Sequence, residues 1–177
     1  MTYYRNMKKT EKIAFTGVFT ALAFALSYIE YLIPFDAIGV PGVKLGLANL
    51  AVMAALYLFG FFSAAAVSLV RILLSWLIFG SFTAFVYSLI GGVLSLAAMY
   101  LLKKIDLFGE IGVSVSGAVA HNAGQLAAAW LLTSTPGVWY YLPVLAIAAA
   151  VTGTLNGLLL KIALPRVKKI INQGDHK

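Results

Sequence analysis

SGAVAHNAGQLAAAW, residues 116–130, has the makings of an apolar helix, yet His121, Asn122 and Gln125 stand at its centre. Hydrogen-bonding side chains inside such a run are costly beside lipid and are kept where they face protein or a polar cavity. His121 and Gln125 are four residues apart and share a helix face, which Gly117 and Ser114 extend, while Asn122 lies on the neighbouring strip. The stretch predicts a membrane helix with one face turned to something polar.

The rest of the chain agrees. Of its 177 residues, 62% are hydrophobic and 11% are Asp, Glu, Lys or Arg. Soluble domains are about 45–50% apolar and about 25% charged, so an integral membrane protein is expected, with no separate soluble catalytic domain. The chain has no cysteine, which removes disulfides, thiolate nucleophiles and thiolate metal sites. The first apolar run follows basic residues as a signal peptide would, but it is long and lacks a small-x-small cleavage site, so a retained helix is expected.

Stretches of about 20 apolar residues cross a bilayer as helices. The expected architecture is an all-α integral membrane protein, 1–177, with six transmembrane helices at roughly 12–33, 45–59, 61–79, 82–102, 111–133 and 141–163. The last ends before Pro165. Basic segments at about 1–11 and 164–177 flank them. Eleven of the thirteen basic residues fall on one side of this arrangement: Arg5, Lys8, Lys9, Lys12, Lys103, Lys104, Lys161, Arg166, Lys168, Lys169 and Lys177. By the positive-inside rule both termini are cytoplasmic and the protein sits in the cell membrane. The +7 charge is thus a topology signal, and no nucleic-acid partner is expected. Two longer connections, 34–44 with Pro34, Pro41 and Gly42, and 134–140 with Trp139 and Tyr140, fall on the opposite side, the second as an interfacial aromatic anchor.

Arg71, near the centre of VSLVRILLSWL (67–77), is the strongest single signal. A central arginine costs about 2.5–3.5 kcal/mol on insertion scales. Ser68 and Ser75 share its face. It either bridges to Glu30, as an ion-pair partner at the end of the first helix, or meets a ligand or polar cavity. Asn49 lies inside the second helix and Lys44 at its mouth, where Lys44 either marks the interface or touches ligand. Thr152, Thr154 and Asn156, between Gly153 and Gly157, fit helix packing better than binding. Gly17, Ala21 and Ala25 form a small-residue ridge that suits close packing against another helix, in this chain or a partner.

No acidic pair of the D-D-x-x-D type is present to hold magnesium against a diphosphate, so prenyl transfer by this chain alone is not expected. Neither a G-x-x-x-x-G-K-[ST] loop nor a G-x-S-x-G elbow occurs. His121 has no ligating neighbour in sequence for a metal site, and no cofactor is expected. Binding and passage of a small molecule, or the holding of a partner, remain.

PGVKLGLANL (41–50), Arg71, YSLIGGVLS (87–95) and GVSVSGAVAHNAGQ (112–125) together resemble the Gx transporter family, whose members are often labelled heptaprenyl diphosphate synthase component I. That family looks like a relative of the substrate-binding S components of energy-coupling factor transporters. The resemblance implies a six-helix protein that captures a small-molecule substrate outside, and the missing diphosphate–magnesium, P-loop and nucleophile motifs mean it is not expected to be an enzyme. Its partners would be a transmembrane T component, packed on the first-helix ridge, and ATPase subunits. Arg71, His121, Asn122, Gln125 and Asn49 would line the site, with Lys44 at its mouth, for a small polar or anionic molecule. The synthase label implies instead a membrane subunit that recruits a soluble isoprenoid synthase. A standalone secondary carrier is a third reading, disfavoured by the lack of an inverted repeat.

Overall fold

The computed structural model describes residues 9–33 and 46–174, with side chains through 171. The connection 34–44 with Lys44, and the basic residues Arg5, Lys8 and Lys177, lie outside the described residues. Six α helices follow in order: α1 (Lys9–Leu32), α2 (Leu47–Phe59), α3 (Phe61–Phe79), α4 (Phe82–Ile105), α5 (Glu110–Thr133) and α6 (Leu142–Gly174). A 3-10 turn, Pro136–Tyr141, leads into α6 where the sequence suggested an irregular loop.

Among the described residues, four spans are long and apolar enough to cross a membrane: α1, α3, α4, and the 3-10 turn with α6. The chain is therefore a multi-pass membrane protein. The expectation of six crossings needs refining for the other two helices. α2 has 13 residues. It reaches only about 20 Å against a hydrocarbon core of about 30 Å. α5 has 24 residues, about 36 Å, and is long enough. Its apolar character is diluted by Ser114, Ser116, His121, Asn122 and Gln125.

α2 is apolar all round, and a helix of that kind belongs in a core. Val52, Met53, Leu56 and Phe59 are each 1% exposed. From α1, the Phe15 and Phe19 rings meet Phe59 with centroids 5.6 and 5.4 Å away. Among the described residues, α1 touches α2 and α3 only. It does so with the face bearing Phe19, Ala23 and Glu30, leaving Gly17, Ala21 and Ala25 exposed. A Cβ built on Gly17 would meet nothing within 4 Å.

A single residue, Gly60, joins α2 to α3 at φ 91° and ψ −175°, a backbone state that an L side chain resists. α5 lies between α4 and α6 and is in contact with both along its length. Glycines permit this. A Cβ on Gly91 would fall 2.9 Å from the His121 carbonyl oxygen, and one on Gly124 2.8 Å from the Gly91 Cα. On the other flank, Cβ atoms at Gly153 and Gly157 would fall 2.7 and 2.6 Å from the Cα atoms of Val115 and Ile111.

The sixth helix departs from expectation. It runs through Pro165 to Gly174 instead of stopping before the proline. Proline removes one backbone donor and crowds the preceding turn. The Arg166 guanidinium donates to the Ile162 carbonyl at 3.1 Å, supporting that turn. Leu164, Val167 and Ile171 then continue an apolar stripe against the core, and tertiary packing carries the helix onward.

At the same end of the bundle the Lys103 ammonium donates to the Leu56 carbonyl at 2.6 Å and sits 4.7 Å from the centroid of the Tyr57 ring. It caps the C-terminus of α2, where carbonyls lack helical partners and a cation is favoured. Lys103→Met is expected to cost about 1.5–3 kcal/mol, the usual value of a hydrogen bond to a charged group. Thermal unfolding followed by tryptophan fluorescence checks this, and an unchanged midpoint would show the contact to be inconsequential.

Candidate ligand-binding cavity

A cavity of about 480 Å³ is lined at one end by the helix ends Ile33, Gly46, Gly80 and Ser81. That volume is in the range of small-molecule sites, roughly 300–1,000 Å³. The cavity runs inward between the helices as far as Met53, Met99 and Ser114. Arg71, Glu30, Asn49, His121, Asn122 and Gln125 all line it. They come from four different helices, so only the tertiary fold brings them together. Lys44 is outside the described residues.

Arg71 is 8% exposed. Its Nη2 donates to the Asn49 Oδ1 at 3.2 Å and its Nη1 to the Ser27 Oγ at 3.5 Å. Ser27 is oriented for this by donating its own proton to the Ala23 carbonyl at 3.0 Å. Glu30, also 8% exposed, accepts from the Leu47 backbone amide at 2.9 Å. It thereby fixes the start of α2 and acts on Arg71 through space rather than by a close bridge. The Arg71 Nε is buried with no hydrogen-bond partner, and so are the Ser75 and Ser95 hydroxyls. All three residues line the cavity. These three atoms themselves are closed off from the hollow, so they are unsatisfied within the wall and not toward the cavity.

The α5 trio divides. The His121 ring packs on Gly91, within 3.0 Å of where a Cβ would stand, and the residue lines the cavity. Asn122 donates to the Leu145 carbonyl at 2.9 Å, which ties α5 to α6. Gln125 is half-buried on the wall. Asn156, expected to serve packing, lies on the cavity wall and donates to the Gly46 carbonyl at 3.2 Å, while Gly153 and Gly157 do the packing.

Sequence reasoning passed over two groups. Ser88 and Ser95 line the cavity from α4, and Ser81 lines it from the N-cap of that helix. Their seven-residue spacing, two helical turns, was a readable sign of one polar stripe. An aromatic rim was also missed. Trp76 and Phe85 have ring centroids 4.9 Å apart, and Tyr31 and Phe79 4.7 Å apart. These rings come from neighbouring helices, and a membrane protein rich in aromatics gives no local sign of which ones converge. Among the described residues no three His, Asp or Glu side chains gather into a metal site.

A family model described as heptaprenyl diphosphate synthase component I matches residues 19–163. No curated protein and no solved structure matches the chain. The matched stretch contains every cavity-lining residue.

Proposed function

The chain belongs to the heptaprenyl diphosphate synthase component I family, and from that membership and the cavity we propose that it is a ligand-capturing membrane component working with partner subunits. Its ligand is a small polar or anionic molecule. The observation that carries this is the buried Arg71 in the wall of a cavity of molecular size, with Asn49, Gln125 and Asn156 in the same lining. A scaffold that only held a partner would have no need for such a hollow.

The function we favour is substrate binding for an ATP-driven importer of the energy-coupling-factor type, in the cell membrane, with no catalysis by this chain. The absence of a P-loop means that ATPase subunits would supply the energy. The helix ends Ile33, Gly46, Gly80 and Ser81 that line one end of the cavity are opposite the basic segments, and by the positive-inside rule we take that end as the outer one. Gly17, Ala21 and Ala25, exposed on α1, offer a small-residue face for a T component. A second reading draws on the family description: a membrane subunit that recruits a soluble prenyl synthase.

Native mass spectrometry of the gently solubilised complex separates the two. The importer reading expects a bound small molecule together with T and ATPase subunits. A copurifying synthase around an empty bundle would overturn it.

A further inference from the structure

The seam between α3 and α4 carries a second hollow, of about 280 Å³, walled by Leu69, Ile72, Leu89, Val93 and Leu96. It is apolar, and its rim residues Leu69 and Val93 are exposed on the surface that a bilayer would cover. The polar cavity lies directly behind it. Along α4, Ser88 and Ser95 face the cavity while Leu89 and Leu96, each the next residue, face the groove. Ile72 lines both. Its Cδ1 lies 3.1 Å from where a Cβ on Gly92 would stand, so the isoleucine fills space that the glycine leaves. At that point the partition is one side chain thick.

We infer that the groove receives the hydrocarbon arm of an amphiphilic ligand whose anionic head sits at Arg71, with Ile72 as the movable shutter between them. This rests on the cavity being a ligand site. A hydrocarbon alone gains little by leaving lipid for an apolar groove, since the two are equally apolar. An arm stays there because a head group anchors it. The head is anionic because Glu30 is engaged by the Leu47 amide, while Arg71 brings a guanidinium to the cavity wall.

The test uses the full chain in phosphatidylcholine nanodiscs, with geranyl diphosphate and inorganic diphosphate as probes in calorimetric titrations. Geranyl diphosphate is expected to bind at least about tenfold more tightly, the arm adding apolar burial. Ala97→Phe, at an exposed groove position, is expected to erase that advantage and leave inorganic diphosphate unaffected. Ile72→Ala, which joins the two hollows, is expected to enlarge it. Equal affinity for the two probes, as when bilayer lipid holds the groove, overturns the inference. So does failure of geranyl diphosphate to bind. If native mass spectrometry still finds a polar molecule in the cavity after either result, the capture reading stands and only the arm is lost.

Discussion

Arg71→Ala is expected to lower retention of the bound molecule about a hundredfold, the equivalent of about 3 kcal/mol. The guanidinium is a planar fork of donors, held in place by Asn49 and Ser27 within a residue that lines the cavity. A ligand oxygen meeting it forms a charge-assisted bond without having to order the side chain. Arg71→Lys keeps a charge but loses the fork, and is expected to retain ligand at an intermediate level. Stability changes as well, because alanine leaves Glu30 buried without its nearby cation. The pair Arg71→Met with Glu30→Gln separates the two effects. It is expected to recover most of the lost unfolding midpoint and none of the ligand. The checks are ligand-to-protein ratio by mass spectrometry and tryptophan-detected unfolding. Full ligand occupancy in Arg71→Ala would remove this residue from the site.

Helix number and order were legible because lipid imposes one rule on every segment: backbone groups must be satisfied within it, over a length that the bilayer sets. That rule located α3 to the residue, at Phe61–Phe79. It misjudged the end of α6, because beyond the bilayer the stripe Leu164, Val167 and Ile171 decides, and a proline is tolerated where packing supports it. The polar site was legible in part for a related reason. Arg71 and His121 are expensive in lipid, so their presence is itself a signal. Serines are cheap there, which is why the stripe Ser81, Ser88 and Ser95 passed unremarked. On its own helix Asn156 stands between two glycines, a packing pattern, whereas its place on the wall depends on Gly46, 110 residues away in the chain. No local pattern encodes a contact of that separation.

Two glycines should respond in opposite ways to the same change. Gly124→Leu is expected to destabilise the bundle by about 3 kcal/mol or more, at or above the upper end of the usual range for overpacking. The first atom of the new side chain would lie 2.8 Å from the Gly91 Cα and 3.1 Å from its nitrogen. Backbone cannot rotate away as a side chain can, so α4 and α5 must separate. His121 moves with them, since its carbonyl and ring press on the same Gly91. The variant should therefore lose ligand as well as stability, although it removes no polar group. Gly17→Leu puts the same side chain where nothing lies within 4 Å. The isolated chain should tolerate it within about 0.5 kcal/mol, or gain slightly, because glycine is a poor helix former. If α1 is the docking face for a partner helix, however, a leucine there blocks close approach. Gly17→Leu should then keep its ligand and its unfolding midpoint but fail to copurify with T and ATPase subunits. The chain has 3 tryptophans and no cysteine, so intrinsic fluorescence reports the midpoints and thiol-reactive dyes cannot. A Gly124→Leu protein as stable as the parent would mean that α4 and α5 do not cross in contact at Gly91, and the cavity between them would have to be redrawn.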